Sequence, residues 1–271
     1  MERAIGVIDS GVGGLTVMCE LMRQLPKEEL IYVGDTLRCP YGSRPESEVK
    51  QYTKEMIQFL MTKDIKMIVI ACNTATAFAL EELKESLPIP IIGVIQPGAR
   101  AAIKQTKNKK VGVIGTEGTI RSEAYTEALH QINKELEITG LACPLFVPMV
   151  EKGILTGDRA EQVVEEALQP LKSAKQIDTL VLGCTHYPLL EPTIQRMMGA
   201  DVNIISSSEE TARETSTLLE MNELLYQGNR KPVHYFYTTG ELELFEKIAH
   251  LIFNEHVTDM EHVHIEKIVL Q

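Results

Sequence analysis

The 271-residue chain lacks the excess of basic residues that polyanion-binding proteins carry. Its 27 Lys and Arg residues are outnumbered by 38 Asp and Glu residues, which gives a net charge of −11. A general surface for nucleic acid or for an anionic membrane needs clustered Lys and Arg, so the composition argues against both. Any anionic ligand of this protein must therefore be held by local groups.

The chain also lacks a long apolar run, and we expect no secretory leader. The longest nearly apolar stretch, Met67 to Leu80, is interrupted by Asn73 and two threonines and is shorter than the roughly 20 residues that a membrane span needs. The first strand-like run, AIGVID, begins at Ala4 and leaves no room for a signal peptide. We expect a cytoplasmic protein without a transmembrane segment.

Paired cysteines are absent as well. The five cysteines form an odd set without a C-x-x-C spacing, at positions 19, 39, 72, 143 and 184. In a cytoplasmic protein this pattern favours free thiols over a disulfide framework. Most free cysteines are small buried hydrophobic residues, so a chemical role needs further support.

Several cofactor and catalytic motifs are missing. DSGVGGLT resembles G-x-G-x-x-G, but counting from Gly11 the sixth position is Thr16, so the dinucleotide fingerprint fails. The chain has neither a G-x-x-x-x-G-K-[ST] phosphate loop nor a G-x-S-x-G elbow, and neither Cys72 nor Cys184 is followed six residues later by the Arg of a thiol phosphatase. No nicotinamide, flavin or nucleotide is indicated.

Short β-branched runs alternate with helical patterns over the first hundred residues. The runs are AIGVID, LIYVGD, MIVIAC and IPIIGVI, and the helices are predicted over about 15–25, 47–63 and 76–86. Continuous apolar strands separated by helices are typical of a mostly parallel sheet with helices on both faces. The sequence predicts an α/β fold.

The pattern then restarts, which suggests two similar halves. Gly6-Val7-Ile8-Asp9 aligns with Gly112-Val113-Ile114-Gly115 at an offset of 106, and Cys72 aligns with Cys184 at an offset of 112. A general α/β character explains the repeated strands but not the two matching cysteines. Pro88 to Pro97 is the expected crossing between the halves.

The remainder predicts a helix from Glu209 to about Leu225, a strand VHYFYTT and a helix from Glu241 to about Phe253. The last segment, EHVTDMEHVHIEK, has the composition of a metal-binding tail. However, its apolar residues alternate with polar ones from Val263 onwards, which favours an edge strand.

Residues with chemical potential lie at the predicted carboxyl ends of strands, where open α/β sheets bind ligands. These segments are Asp9-Ser10, Cys72-Asn73-Thr74, Thr116 to Thr119 and Cys184-Thr185-His186. Helices begin just after them, and the free N–H groups of a helix start bind carboxylates and favour thiolates. We expect the four segments to share one cleft.

Two thiols in matching positions suit the inversion of a carbon centre, in which a base removes a proton from one face and an acid returns one to the other. Asp9 is placed to assist Cys72, and His186 to assist Cys184. Three alternatives stay open: Asp9 as a simple helix cap, His186 as a turn residue, and a zinc site formed by Cys184, His186 and Cys72.

As a set, the motifs resemble the glutamate racemase family of the aspartate/glutamate racemase superfamily. The resemblance rests on GVIDSGVGGLTV (6–17), GDTLRCPYGSR (34–44), ACNTATA (71–77), GVIGTEGTI (112–120), CPLFVPMVEKG (143–153) and LGCTHYPLL (182–190). It implies two pseudo-symmetric α/β domains, one formed by residues 1–94 and 208–271 and the other by 95–207, with the active site between them. It also implies a homodimer, domain closure, and a supply of D-glutamate for peptidoglycan.

The same resemblance implies roles for individual residues. Cys72 would take the α-proton from D-glutamate and Cys184 from L-glutamate, while Asp9, Glu151 and His186 would assist. The implied substrate-binding residues are Asp9, Ser10, Pro40, Tyr41, Gly42, Cys72, Asn73, Thr74, Thr116, Thr119, Cys184, Thr185 and His186. Neither a metal nor pyridoxal phosphate is implied, and the lack of an N-terminal extension favours activity without an activator.

Three rival functions are compatible with parts of the pattern. An aspartate or hydantoin racemase would keep both cysteines and reshape the pocket, although CPYG and CTHYP favour glutamate. An amino-acid-binding sensor would leave the thiols passive. A thiol hydrolase would use one cysteine and leave the other without a role.

Overall fold

The computed structural model describes residues 2–174, 176–256 and 263–270. The strands are β1 (Ala4–Asp9), β2 (Leu30–Gly34), β3 (Ile65–Ile70), β4 (Ile91–Gly93), β5 (Lys110–Gly115), β6 (Glu137–Ala142), β7 (Thr179–Gly183), β8 (Asn203–Ser206), β9 (His234–Thr238) and β10 (Val263–Lys267). The helices are α1 (Leu15–Gln24), α2 (Glu46–Met61), α3 (Asn73–Ser86), α4 (Ile95–Gln105), α5 (Glu117–Arg121), α6 (Ala124–Ile132), α7 (Phe146–Glu151), α8 (Asp158–Ala174), α9 (Glu191–Met198), α10 (Ser207–Met221) and α11 (Leu242–His256). None of these helices combines the length and the apolar character that a bilayer crossing requires.

The described strands form two sheets in which every pairing is parallel. The first sheet has the order β10-β9-β2-β1-β3-β4, and the second has the order β6-β5-β7-β8. The order β2-β1-β3-β4 is therefore repeated as β6-β5-β7-β8, with β9 and β10 added to one edge of the first sheet. The predicted α/β fold with two similar halves is confirmed.

Each sheet is covered by helices on both faces. In the first sheet, Val7 packs with residues of α1, α10 and α11 on one face, and Ile8 packs with residues of α2 and α3 on the other. In the second sheet, Ile114 packs with residues of α7, α8 and α9 on one face, and Val113 packs with residues of α4 and α6 on the other. This double coverage explains the continuous apolar runs, because a strand buried on both faces has no solvent side. We call the first sheet with α1–α3, α10 and α11 the first half, and the second sheet with α4–α9 the second half.

Two element boundaries differ from the prediction near the junction of the halves. Helix α3 begins at Asn73 rather than near Thr76, because the Cys72 thiol caps it by accepting the Ala75 N–H at 3.4 Å. The predicted strand IPIIGVI ends at Gly93, and α4 begins at Ile95. Pro97 fits this helix because it lies in the first turn, where backbone N–H groups need no partner within the helix.

The predicted crossing from Pro88 to Pro97 is occupied by regular structure. Strand β4 still belongs to the first sheet, and α4 packs against the second. Proline and glycine in this segment thus mark a strand between two turns rather than an open linker.

After α10 the chain returns to the first half. Helix α10 spans Ser207–Met221, earlier at both ends than predicted, and the Ser206 hydroxyl caps it by accepting the Ser208 N–H at 3.3 Å. A buried ion pair fixes the following segment: Lys66 Nζ lies 2.5 Å from Glu28 Oε2 and 2.8 Å from the Leu224 carbonyl oxygen. The chain then adds β9 beside β2.

The predicted edge strand near the C-terminus is confirmed, because β10 lies at the outer edge of the first sheet. His264 in β10 stacks on Tyr235 of β9, with ring centroids 5.4 Å apart. Residues 257–262 of the histidine-rich segment lie outside the described residues.

Candidate active site

The carboxyl ends of the two sheets face each other across a small closed cavity of about 10 Å³. Both thiols line it, Cys72 following β3 and Cys184 following β7. Because β3 and β7 hold the same place in the repeated strand order, the two cysteines are topologically equivalent. The full lining comprises Ser10, Pro40, Tyr41, Gly42, Cys72, Asn73, Thr74, Thr116, Val147, Cys184, Thr185 and His186.

The remaining residues implied by the resemblance, Asp9, Thr119 and Glu151, do not line the cavity but contact residues that do. Asp9 accepts a hydrogen bond from the Thr185 hydroxyl at 3.0 Å. Thr119 lies 3.1 Å from the hydroxyl of Thr74, and Glu151 lies 2.6 Å from His186 Nε2. The structure thus brings all the implied residues to one place, in two layers.

Cys72 is a buried thiol at the start of a helix. Besides accepting the Ala75 N–H, its Sγ donates to Ser10 Oγ at 3.5 Å. Burial and, to a smaller extent, the nearby Asp9 carboxylate together raise the pKa of Cys72 to about 12. In the resting protein this cysteine carries its proton and can act as an acid.

Cys184 has a different partner. Its Sγ lies 3.8 Å from His186 Nδ1, and the other ring nitrogen of His186 lies 2.6 Å from Glu151 Oε1. Burial by itself lowers the pKa of His186, but its hydrogen bonds to Cys184, Cys39 and Glu151 outweigh this and raise the pKa well above the usual value. A charged imidazole beside a thiol stabilises the negative sulfur that forms when the thiol gives up a proton.

Glu151 supplies the counter-charge. Burial alone raises the pKa of Glu151, but the hydrogen bond and charge of His186 and the Val12 N–H lower it below the usual value overall. The carboxylate is therefore ionised and holds the His186 ring in place from α7. Two matched thiols thus have two different environments: a neutral hydroxyl beside Cys72 and a cationic ring beside Cys184.

Asp9 is fully buried and binds across the junction of the halves. One carboxylate oxygen accepts the Gly11 N–H and the other accepts the Thr185 hydroxyl, both at 3.0 Å. Burial raises the pKa of Asp9 to about 6, and the charge of His186 lowers it in part. Among the hydrogen bonds of the described residues none joins Asp9 to Cys72, so any help that Asp9 gives to Cys72 acts through its charge.

Hydroxyl and amide groups from both halves complete the cavity. Thr74 Oγ1 lies 2.9 Å from Thr116 Oγ1 and 3.1 Å from Thr119 Oγ1, so three hydroxyls meet at one point. Asn73 Oδ1 accepts the Tyr125 hydroxyl at 2.7 Å, whereas the buried Asn73 Nδ2 has no hydrogen-bond partner among the described residues. A buried donor without a partner is rare, and it is placed to serve a ligand.

Sequence reasoning missed three residues near the site. Val147 lines the cavity, yet its position in α7 has the pattern of an ordinary core residue. Tyr125 contacts Asn73 from the other half of the chain, and no local pattern indicates this contact. Cys39 lies 3.5 Å from Glu151 Oε1, and the only signal was its place directly before Pro40 in the CPYG motif.

Two thiols lie at equivalent strand ends of a duplicated α/β fold and line one closed polar cavity, an arrangement that suits moving protons to and from the two faces of a carbon centre. Comparison with known proteins agrees with this class. The profile of the Asp/Glu/Hydantoin racemase family matches residues 5–215. The chain belongs to this family, and it is a racemase and hence an isomerase.

Individual relatives are similar over nearly their whole length. The chain is 65% identical to the glutamate racemase of Oceanobacillus iheyensis over 255 residues, which covers 94% of this chain and 93% of the relative. The crystal structure of glutamate racemase isoform RacE1 from Bacillus anthracis is 49% identical with a TM-score of 0.93, covering 99% of this chain and 98% of that one. Glutamate racemase from Francisella tularensis in complex with D-glutamate is 35% identical with a TM-score of 0.89, covering 100% and 98%. The resemblance read from the motifs is confirmed.

Proposed function

We propose that this chain interconverts L-glutamate and D-glutamate by a two-base mechanism that needs no cofactor. Cys184 takes the α-proton from L-glutamate and Cys72 delivers a proton to the opposite face, and the reverse reaction exchanges the roles. The observation that carries the proposal is the pair of topologically equivalent thiols lining one cavity. The names of the relatives and the D-glutamate complex of the Francisella protein support the choice of substrate.

The resting charges suit the conversion of the L-enantiomer. Cys72 holds its proton because burial raises its pKa to about 12, and so it can act as the acid. Charged His186 stabilises Cys184 as the base. After one turnover Cys184 carries the proton taken from L-glutamate and Cys72 has given its own proton to the product, and proton exchange with solvent resets the pair.

Substrate carboxylates are held here without Lys or Arg, since the residues that line the cavity include neither. The donors are hydroxyls, the free Asn73 amide and the N-terminal N–H groups of α3, where the helix dipole favours an anion. As the α-proton leaves, negative charge develops on the adjacent carboxylate, and fixed donors in a water-poor cavity stabilise it.

The test is to incubate L-glutamate with the protein in D₂O without added cofactor, following optical rotation and the α-proton resonance. We expect decay to a racemic mixture in which the newly formed D-glutamate carries α-deuterium while the remaining L-glutamate keeps its proton at early times. A product that retains its original α-proton would contradict the two-base mechanism. An optical signal that stays flat for both enantiomers of glutamate but decays for aspartate would overturn the substrate.

Replacing Asn73 tests how the substrate is bound. We expect Asn73→Ala to raise the KM for glutamate roughly tenfold or more, because a hydrogen bond to a charged group contributes about 1.5–3 kcal/mol. The matched variant Asn73→Asp keeps the acceptor for Tyr125 but places a negative charge in the cavity, so its KM should rise further. Steady-state kinetics from both enantiomers measure this, and an unchanged KM in both variants would remove Asn73 from the binding site.

Asp9 should govern the acid limb of the pH profile. Above a pH of about 6 the Asp9 carboxylate is ionised and accepts both of its hydrogen bonds, and below that pH it is protonated. We expect kcat/KM to fall by about tenfold per pH unit below this point, because kcat/KM reports the ionisation of the free enzyme. In Asp9→Asn the residual kcat/KM should no longer fall in this way below a pH of about 6. A wild-type profile that stays flat from pH 7 to pH 5 would contradict the assignment.

Entry of the substrate requires motion. A cavity of about 10 Å³ holds about one water molecule, so glutamate cannot enter unless the halves separate. We propose that the chain forms two domains, residues 1–94 with 208–271 and residues 95–207, which open and close on the substrate. Small-angle scattering curves recorded with and without glutamate should differ, and curves that superimpose would count against domain motion.

The cellular setting follows from the same proposal. A racemase of this kind supplies D-glutamate for peptidoglycan from the cytoplasm, and we propose that role and location here, with a homodimer as the expected assembly. The acidic composition supports a protein that meets its substrate in solution rather than on nucleic acid or on an anionic membrane.

A further inference from the structure

A third thiol, that of Cys39, lies near His186 and is not part of the cavity lining. Cys39 Sγ is 3.5 Å from Glu151 Oε1, which is itself 2.6 Å from His186 Nε2. Within the described ranges, these three ligand atoms all lie within 4.8 Å of one another and form a group that could hold a metal ion. The first half supplies Cys39, whereas Glu151 and His186 belong to the second half, so the cluster joins the two.

The three atoms also lie close to Gly11, whose missing side chain leaves room for them to approach one another. A Cβ atom built on Gly11 would lie 2.4 Å from Glu151 Oε1, 2.9 Å from Cys39 Sγ and 3.2 Å from His186 Nε2. In zinc sites the ion lies about 2.0–2.3 Å from oxygen, nitrogen and sulfur ligands. Because the three ligand atoms all lie within 4.8 Å of one another, small inward shifts of their side chains would bring them to coordination distance from one ion.

The cluster is also reachable from solvent. The Glu151 side chain is 20% exposed and Cys39 is partly exposed, although His186 is buried. Neither Cys39 nor Glu151 lines the substrate cavity. An ion can thus approach from outside and keep a water molecule as its fourth ligand, as zinc does in sites with three protein ligands.

We propose that Zn²⁺ binds to Cys39, Glu151 and His186 and reversibly inhibits the enzyme. On binding, the Cys39 S–H bond breaks, an S–Zn bond forms and the proton leaves to solvent; His186 gives its Nε2 lone pair to the ion, and any proton on that nitrogen also leaves to solvent. No electrons are transferred. The ligand set of thiolate, imidazole and carboxylate is one that zinc prefers.

Inhibition follows from what His186 can no longer do. A ring that coordinates zinc through Nε2 is no longer the free cation paired with Glu151, so it loses the charge that supports Cys184. The ion also bridges Cys39 of the first half to two residues of the second and opposes opening. The inhibition rests on the proposed racemase function, whereas the binding does not.

This site differs from the zinc site considered from the sequence. That alternative used Cys72 and Cys184, which line the cavity, while the convergent group in the described structure replaces both with Cys39 and Glu151. A single substitution therefore separates the two possibilities. Cys39→Ser removes the proposed ligand and leaves both cavity thiols in place.

The experiment measures binding and turnover separately. Equilibrium dialysis of the full chain against Zn²⁺, and the thiolate-to-cobalt absorption of Co²⁺ as a spectroscopic substitute, report binding without reference to activity. We expect one ion per chain, loss of racemisation on adding Zn²⁺, and recovery with EDTA. Cys39→Ser should weaken Zn²⁺ binding by roughly 100-fold or more, since loss of even an outer-shell partner costs about 10- to 100-fold.

A matched control is Cys19→Ser, which removes a buried thiol from α1 and should bind and respond like the wild type. The proposal is overturned if micromolar Zn²⁺ does not bind the wild type, or if Cys39→Ser binds and is inhibited as the wild type is, which would place the ion on the cavity thiols. If the metal-free protein fails to racemise glutamate, the proposed function is wrong. Dialysis and the cobalt spectrum would still show whether the proposed metal site exists.

Discussion

Replacing Cys184 by alanine should abolish racemisation of glutamate in both directions, lowering kcat by about 100- to 10,000-fold, the range that a positioned acid or base contributes. The variant keeps the cavity, because alanine removes only the sulfur from a buried position at the end of β7. His186 also keeps Glu151 as its partner. Decay of the circular-dichroism signal of L-glutamate and of D-glutamate measures the loss.

Cys72→Ala should give the same loss, for a thermodynamic reason. The two enantiomers have equal free energies in water, so kcat/KM must remain equal in the two directions in every variant. Steady-state rates therefore cannot show which thiol serves which face. Exchange of the α-proton with D₂O can show this. Cys184→Ala should retain exchange only for D-glutamate, and Cys72→Ala should retain it only for L-glutamate.

The control for this pair is Cys143→Ala, which removes a buried thiol in the second half that does not line the cavity. It should racemise glutamate and exchange the α-proton of both enantiomers. If both single variants exchange the same enantiomer, or if either racemises at the wild-type rate, the assignment of one thiol to each face is wrong.

The fold and the position of the thiols followed from local patterns. Continuous apolar runs predicted buried parallel strands, and the strands β1, β2 and β3 are buried at every position. The near-equal offsets between the halves predicted that Cys72 and Cys184 would be equivalent, and the repeated strand order places them after β3 and β7. Both inferences depend only on periodicity and spacing, which a sequence displays directly.

The contacts between the halves did not follow from local patterns. Asp9 meets Thr185 across a sequence separation of 176 residues, and Cys39 meets Glu151 across 112. No periodicity encodes which side chains meet when two sheets dock, so the hydrogen bond of Asp9 to Thr185 and the place of Cys39 could not be predicted. The start of α3 was missed for another reason, because a cysteine is not among the residues expected to cap a helix.

Gly13→Ala should impair the enzyme strongly without removing any chemical group. A Cβ atom at Gly13 would lie 2.5 Å from both His186 Nδ1 and Thr185 Oγ1, and 2.8 Å from the His186 backbone nitrogen. Real side-chain carbons do not approach so closely, and the backbone nitrogen cannot turn aside as a flexible side chain would. The added methyl group must therefore push Thr185 and His186, and the second half that carries them, away from the loop after β1.

That displacement separates groups which act together. Thr185 would lose its hydrogen bond to Asp9, and His186 Nδ1 would shift from its place near Cys184. Because a misplacement of about 1 Å at a catalytic centre costs about 100-fold in rate, we expect kcat to fall by about that factor. The far-ultraviolet circular-dichroism spectrum should stay unchanged, since the clash lies between the halves rather than within either core.

Gly140→Ala is the matched control, because it adds the same methyl group to an exposed glycine of β6. There the new carbon would meet only the Ile120 side chain, at 3.3 and 3.6 Å, which is close to ordinary contact. Its kcat should match the wild type. If Gly13→Ala also retains the wild-type kcat, then close apposition of the loop after β1 to Thr185 and His186 is not required for turnover, and the closed arrangement of the two halves is not the one in which the proton moves.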